Sequence, residues 1–394
     1  MSPPESPKPP PGPATILQVL PALESGGVER GTVEIAQALV QAGSYALVAS
    51  AGGRLVGDLA RTGARHANVW LNTKNPFNIY ANIRRLENLM IAEHIDLVHA
   101  RSRGPAWSAY FAAKRLKIPF VTTWHGVYEE DLPFKRFYNS IMTRGEIVIA
   151  ISHYIESELI RRYKIPKSRI RTIHRGVDPA KFDPATISTE RIERLRQHWR
   201  LPQNVKIVML PARLTRWKGA VTLLHAMAKL QTPEKPFLVL VGAKQRTPDY
   251  QRELENLADQ LGLNHHFRIA GHCDDMPAAL LLADIIVNAS EKPEPFGRTI
   301  IEAQAMGRIV IASDQGGAVE TIEHGVTGYR VSPGDAAALA ATITKALTLS
   351  EEEKTTLTTA ARASVCKNFT TASMQRATLA VYEEVLGKPL VPKN

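Results

Sequence analysis

Short apolar runs alternate with helix-period segments along almost the whole chain, and they do so in two series. A brief apolar run bounded by turn signals reads as a strand buried on both faces, the pattern of parallel sheets. In the first series such runs fall at 15–21, 45–50, 96–100, 118–126, 146–152 and 169–178. Helical spacing starts near Val28 and is closed by Gly43, and it returns at 105–116 and 154–163, with a short helix within 52–63. The second series places strands at 206–212, 237–242, 267–271, 284–290 and 309–313. Helices are predicted at 220–230, 249–261, 276–283 and 299–306, and three more follow near 336–347, 351–368 and 373–386. Strands alternating with helices predict parallel sheets covered on both sides. Between the series lies a stretch rich in proline and small polar residues, 178–190, followed by the polar helix RIERLRQHWR. The domain boundary is expected there. The reading is therefore a Pro-rich disordered lead at 1–14, one doubly wound domain at 15–189, a second at 190–372, and a terminal segment at 373–394. Ligands of such sheets sit outside the carboxyl ends of the strands, and two facing sheets would form one cleft.

Composition narrows the class. At 44% apolar and 22% charged residues, the 394-residue chain is neither disordered, collagenous nor a coiled coil. No run approaches the ~18–20 apolar residues of a membrane-spanning helix. The opening MSPPESPKPPPGPA has no apolar core and reads as neither signal peptide nor anchor. Two cysteines, Cys273 and Cys366, read as reduced thiols of a cytosolic protein, with His272 the sole hint of a zinc site. The net charge of +11 is uneven. Residues 1–189 hold 24 Lys and Arg against 16 Asp and Glu, and the remainder 25 against 22. A basic first half suits nucleic acid, an anionic membrane or a phosphorylated substrate.

Four constellations fall at carboxyl ends of predicted strands. Ser25-Gly26-Gly27 precedes a helix, where glycines admit a phosphate or sugar to the backbone and the helix offers its positive end. It lacks GxGxxG spacing and also fits a tight turn. Thr122-Thr123-Trp124-His125-Gly126 places a histidine just past a strand, available for proton transfer or for a hydroxyl; a capping histidine is the plainer reading. In Arg213-Leu-Thr-Arg-Trp-Lys218-Gly219 the guanidinium and the ammonium are placed to converge on a diphosphate, and a solvated basic loop is the alternative. The fourth runs from Glu291 through Glu294, Gly297, Arg298 and Thr299 to Glu302. Amides near Arg298, Thr299 and Ile300 would face an anion, and Glu302 would accept from ribose hydroxyls. Thr299-x-x-Glu302 equally fits a capping box.

The segment E-P-F-G-R-T-I-I-E-A, with seven residues between its glutamates, resembles the E-x7-E signature of retaining GT-B glycosyltransferases of family GT4, group 1. SGGVER, TWHG, ISHYIESEL, HRGVDPAKFDP, RLTRWKG and DQGGAVETI follow the family's order along nearly the whole chain. The resemblance implies a GT-B fold of two Rossmann-like domains facing across a cleft. It assigns Glu302 to the nucleotide ribose, Glu294 to the donor sugar near its anomeric centre, and Arg213 with Lys218 to the diphosphate. Gly297 and the amides of Arg298, Thr299 and Ile300 match the helix start beneath the phosphates. His125 matches a histidine on the donor sugar, Gly26 and Gly27 the N-terminal glycine loop, and Gly316 with Gly317 a further glycine turn. The last helix is implied to return to the N-terminal domain.

The chain has no D-x-D motif, so no metal or other cofactor is expected, and the basic pair with a helix dipole would meet charge on the leaving phosphate. The expected partners are a UDP- or GDP-sugar and a glycan or lipid-linked acceptor such as lipopolysaccharide core. Family members hold the acceptor on the N-terminal domain, which is the basic half here. Residues 132–144, LPFKRFYNSIMTR, interleave aromatic and cationic side chains as an interfacial segment does, and 79–95 repeats the pattern more weakly. An ordinary amphipathic helix is the alternative. The expected location is cytoplasmic, peripheral on the cytoplasmic face of the inner membrane. A soluble acceptor and a non-catalytic sugar-nucleotide binder are the competing readings. Nucleic-acid binding is not expected, since no recognition module is present.

Overall fold

The computed structural model describes residues 13–24, 26–73, 75–128, 130–242 and 249–390. It divides the chain into two units, residues 1–174 with 372–394, and residues 175–371.

Unit 1 contains the strands β1 (Thr15–Val19), β2 (Tyr45–Ser50), β3 (Arg65–Asn68), β4 (Leu97–Ala100), β5 (Phe120–Trp124), β6 (Val148–Ala150) and β7 (Ile170–Thr172). All pair in parallel in the order β3-β2-β1-β4-β5-β6-β7. The order reverses between β1 and β4, the switch point of a doubly wound sheet. One face packs Ile16, Leu20, Val48, Leu97 and Val121 against Ile35 and Leu39 of the helix Gly27–Gln41. The same core takes Met374, Val381 and Tyr382 from the last helix, Thr371–Leu386. Burial of each large apolar side chain contributes about 1.5–3 kcal/mol.

Unit 2 contains β8 (Ile207–Pro211), β9 (Phe237–Val241), β10 (Phe267–Gly271), β11 (Ile285–Asn288), β12 (Ile309–Ser313) and β13 (Tyr329–Val331). They are parallel in the order β10-β9-β8-β11-β12-β13, which reverses between β8 and β11. Every residue of β8, β9, β11 and β12 is buried, as their unbroken apolar runs require.

Several expectations change. The division lies at 174/175, not 189/190. The Pro-rich stretch is bound to unit 2, because Val177 pairs with the chain at 369–371 and Arg362 donates to Phe182 O at 3.2 Å and Asp183 at 3.1 Å. The second division lies at 371/372, one residue earlier than expected, so all but the first residue of the last helix counts with unit 1. Residues 1–12 of the lead and 391–394 lie outside the described residues. Ala14, placed in the disordered lead, is 1% exposed and bonds to Leu390 O at 3.1 Å. β3 and β13 were not expected from sequence. They are the outer strands of their sheets, three or four residues long, and lean on a neighbour's ladder more than on an apolar run of their own.

Candidate active site

In unit 2 the loops leaving β8 and β11 meet at the switch point. Gly219 has a φ of 73°, and a Cβ there would lie 1.9 Å from Ala289 O. Only glycine lets the two loops touch at this distance. The Glu291 amide donates to Trp217 O at 2.8 Å, and the Thr222 hydroxyl to Glu291 Oε1 at 2.6 Å.

This contact brings Lys218 Nζ onto Glu294 Oε1 in an ion pair. Both side chains are largely withdrawn from solvent, at 16% and 8% exposure. The same oxygen accepts from Ser290 Oγ at 2.6 Å and from Asn288 Nδ2 at 3.5 Å. A buried carboxylate needs such company, since desolvation costs several kcal/mol. No described residue bonds to Glu294 Oε2, so the carboxylate is anchored by one oxygen and offers the other. Gly316 and Gly317 support this loop from behind. Gly316 has a φ of 63°, a Cβ there would lie 2.4 Å from Glu294 O, and the Gly317 amide donates to that carbonyl at 2.7 Å. Arg213, on the way to Lys218, is exposed and has no side-chain partner among the described residues.

The helix Arg298–Ala305 starts from Gly297 at φ 90°, with no side-chain cap and no acidic residue in its first turn. Thr299 is therefore inside the helix rather than at its cap, and the capping box does not form. Glu302 sits one turn in, 6% exposed, with Arg298 Nε 3.7 Å from its Oε1. One expected donor is taken: the Ile300 amide bonds to Gly297 O at 3.0 Å, closing the first turn. The Thr299 amide makes no hydrogen bond among the described residues. The positive end of the helix is thus furnished by Gly297, Arg298 and Thr299.

Burial pushes the Cys273 thiol up to about 11, and His272 pairs with Asp274 at 3.0 Å.

In unit 1, His125 follows β5 directly and is half-buried. The loop beyond it is held by Arg162, whose Nη2 donates to Tyr128 O at 2.9 Å, and by Arg103, stacked 3.8 Å over the Tyr128 ring. Burial raises the Glu130 carboxyl, but bonds from Tyr163 and Arg162 outweigh it and hold the group below its usual range. Asp131 is taken by Lys135 at 2.5 Å, and Glu129 lies outside the described residues. Gly26 caps the helix Gly27–Gln41 at φ 146°, and a Cβ there would meet Glu29 Oε2 at 2.6 Å. Ser25 lies outside the described residues.

Family models match a stretch in each half of the chain. Residues 25–181 match glycosyltransferase family 4, and residues 191–363 match glycosyl transferases group 1. A glycosyltransferase crystal structure from Rickettsia africae is 41% identical, covers 95% of this chain and 99% of its own, and superposes with a TM-score of 0.87. The chain belongs to the GT-B glycosyltransferase family. A glycosyltransferase of Methanocaldococcus jannaschii is 28% identical over 253 residues, which span 60% of this chain and 62% of that protein. Anabaena Alr3699/HepE, crystallised with UDP and glucose, shares the fold with a TM-score of 0.83 at 24% identity, covering 94% of this chain and 100% of its own. In this glycosyltransferase Lys218, Glu294 and Glu302 stand within one unit, as do Gly297, Arg298 and Thr299. Sequence reasoning missed Ser290, Asn288 and Thr222, which orient the acids. Their signal was present: Asn288 and Ser290 alternate at the polar end of an otherwise apolar strand.

Proposed function

We propose that this glycosyltransferase moves a hexose, with retention at the anomeric carbon, from a UDP- or GDP-sugar to a cell-envelope acceptor such as lipopolysaccharide core or a lipid-linked glycan, and that it needs no metal. The buried Lys218–Glu294 pair at the carboxyl ends of β8 and β11 carries the reading. Glu302 takes the ribose hydroxyls, and Glu294 Oε2 takes a hexose hydroxyl. Arg213 and Lys218 face the diphosphate, with Gly297 and the Arg298 and Thr299 amides beneath it. His125 is assigned to the donor sugar, and Gly26 and Gly27 to the phosphate and the acceptor. The UDP in the Anabaena structure supports a nucleotide-linked donor.

The C1–O bond to the diphosphate breaks while the acceptor oxygen bonds to C1 on the same face. The acceptor's proton passes to the departing phosphate oxygen. Charge growing on that phosphate is met by the two cations and the helix end. Glu130 and Asp131, the described acids after His125, are both bonded to neighbours, which favours this front-side path over a carboxylate nucleophile.

Attachment to an anionic cytoplasmic membrane surface is part of the proposal. Unit 1 holds 25 Lys and Arg against 16 Asp and Glu, and unit 2 holds 24 against 22. The helix Pro133–Asn139 exposes Phe134 and Phe137 beside Lys135 and Arg136, and the helix Pro76–Ala92 exposes Phe77 and Tyr80. Aromatic anchors with cations suit a headgroup layer. No helix among the described residues is long and apolar enough to cross a membrane. Salt-sensitive flotation with anionic vesicles is expected, and its absence removes this part.

Calorimetric titration with UDP-, GDP- and ADP-sugars in EDTA tests the donor site. One nucleotide should bind without metal. Glu302→Ala should weaken it by roughly five- to a hundredfold, the worth of hydrogen bonds lost to a charged acceptor. Binding only when metal is restored, or an unchanged affinity in the variant, contradicts the assignment.

A further inference from the structure

Arg101 is the residue immediately after β4, and its amide donates to Val19 O, the last residue of β1, at 2.9 Å. It therefore stands at the switch point of unit 1, beside the turn that leads to Gly26 and the helix Gly27–Gln41. Its side chain is 2% exposed. Nε and Nη2 are sealed from solvent and bonded to nothing among the described residues. Glu34 and Tyr382 bear on its charge without bonding to it, and burial pushes the guanidinium below its ordinary value.

Among the described residues Arg196, Arg268, Arg298 and Arg330 each leave one sealed nitrogen unmet, whereas Arg101 leaves two, and three other partly buried arginines spend their donors on protein oxygens. Arg308 reaches Leu281, Ala283 and Met306 at 3.3–3.4 Å, and Arg169 reaches Thr143 at 3.0 Å. Arg362 bonds to Phe182 and Asp183. Such arginines tie loops together. Arg101 ties nothing by its guanidinium, although leaving charged donors buried and unmet is costly. The place where this cost falls is where a doubly wound sheet binds its ligand.

We propose that unit 1 binds a phosphate group of the acceptor through the Arg101 guanidinium, with the uncapped start of the helix Gly27–Gln41 as the second contributor. A guanidinium matches a phosphate as a two-pronged donor, and a helix start adds amides and positive potential. Glu29 of the first turn lies across that helix end, its Oε2 2.6 Å from where a Gly26 Cβ would stand, so a phosphate that reaches the amides must turn this carboxylate aside, and the Arg101 guanidinium is the principal contributor. The inference rests on the glycosyltransferase reading only in calling the phosphate's bearer an acceptor.

The test uses the full chain and inorganic phosphate as probe. Phosphate affinity and phosphate-induced thermal stabilisation are measured for the wild type, Arg101→Met, Arg101→Lys and Arg115→Ala. Phosphate should bind the wild type and Arg115→Ala, the loss of a surface arginine paired with Glu87, alike. Arg101→Met should weaken it about tenfold or more, the loss expected for a charged hydrogen-bonding partner. Arg101→Lys, with charge but no fork, should fall between them. Without phosphate, Arg101→Met should melt no lower than the wild type, because no native bond is lost. Equal phosphate affinity in Arg101→Met overturns the proposal, and so does a melting temperature below wild type, which would mark a structural arginine. UDP titrated into the same samples judges the transferase reading separately, since Arg101→Met should leave it unchanged. Flotation with phosphatidylglycerol vesicles identifies the source. Loss of vesicle binding in Arg101→Met assigns the phosphate to a lipid headgroup, and unchanged vesicle binding alongside weakened phosphate binding assigns it to a soluble acceptor.

Discussion

Arg213 and Lys218 leave the same strand end but stand in different surroundings, and their removal should read differently. Lys218 is buried against Glu294, while Arg213 is exposed and unpaired among the described residues. Each loss should slow turnover by ~10²–10³, the usual worth of a donor aimed at developing charge. Lys218→Ala should also destabilise the protein by about 3–5 kcal/mol, because Glu294 is left as an uncompensated buried charge. Arg213→Ala should leave the melting temperature where it was. Denaturant melts run beside turnover assays check this, and equal stability of the two variants would mean that the pair contributes nothing to unit 2. Most residues that touch substrate in this proposal were legible as polar or charged groups just past a strand's carboxyl end, with Gly126 after His125, Gly219 after Lys218 and Gly297 three residues after Glu294, while Glu302, inside a helix, was legible by its spacing from Glu294. Their supports were not. Asn288 and Ser290 left only a polar alternation at a strand end, and Thr222 acquires meaning only when β8 and β11 are neighbours, a pairing that no local pattern states. Ile300 shows the converse: its amide lies at the expected position, yet the first helical turn uses it.

At the scale of elements, glycines set how closely the two site loops approach. Gly219 and Gly262 both adopt left-handed backbone, at φ 73° and 66°. A Cβ at Gly262 would meet nothing within 4 Å, whereas one at Gly219 would meet Ala289 O at 1.9 Å. Gly262→Ala should therefore cost only about 1 kcal/mol, the conformational penalty alone. Gly219→Ala should cost more and should weaken donor binding as well, since the Lys218 turn must move off the loop after β11. Calorimetry of both variants with the donor decides it, and matched behaviour would show that the loops yield without consequence. The same elements mark the limits of reading a sequence. Central strands declare themselves by continuous apolar runs. RHAN and YRV, which form β3 and β13, declare little, because an outer strand borrows its order from a neighbour. The stretch at 175–188 has a linker's composition but is tied to unit 2 by Val177 and Arg362. Composition reports flexibility of the free chain, and bonding partners far along the chain override it.

Across the whole molecule, the last helix closes the core of unit 1 through a buried polar chain. His99 Nδ1 meets the Tyr382 hydroxyl at 2.7 Å, and His99 Nε2 meets Thr123 Oγ1 at 2.7 Å. The ring is fully enclosed, and burial, with the Arg101 charge second, holds its pKa well below 6.5. His99 is thus neutral when folded. Once unfolded, it takes a proton near its ordinary value of about 6.5. Below that pH the unfolded chain binds one more proton than the native one, so stability falls as pH falls and is fully present only above it. The slope should approach about 1.4 kcal/mol per pH unit for this one group. His66 is shifted the same way, chiefly by burial, and adds to the slope, so the measurement is a difference. Unfolding free energies taken between pH 7 and 5.5, where the carboxylates stay ionised, should flatten in His99→Gln by close to one proton's share. Tyr382→Phe should lower stability at every pH by the worth of a hydrogen bond, about 0.5–1.5 kcal/mol, and keep the slope, because the ring stays buried. If His99→Gln retains the full slope, the histidine is not held neutral, and the closure of unit 1 by its last helix does not depend on the protonation state of that ring.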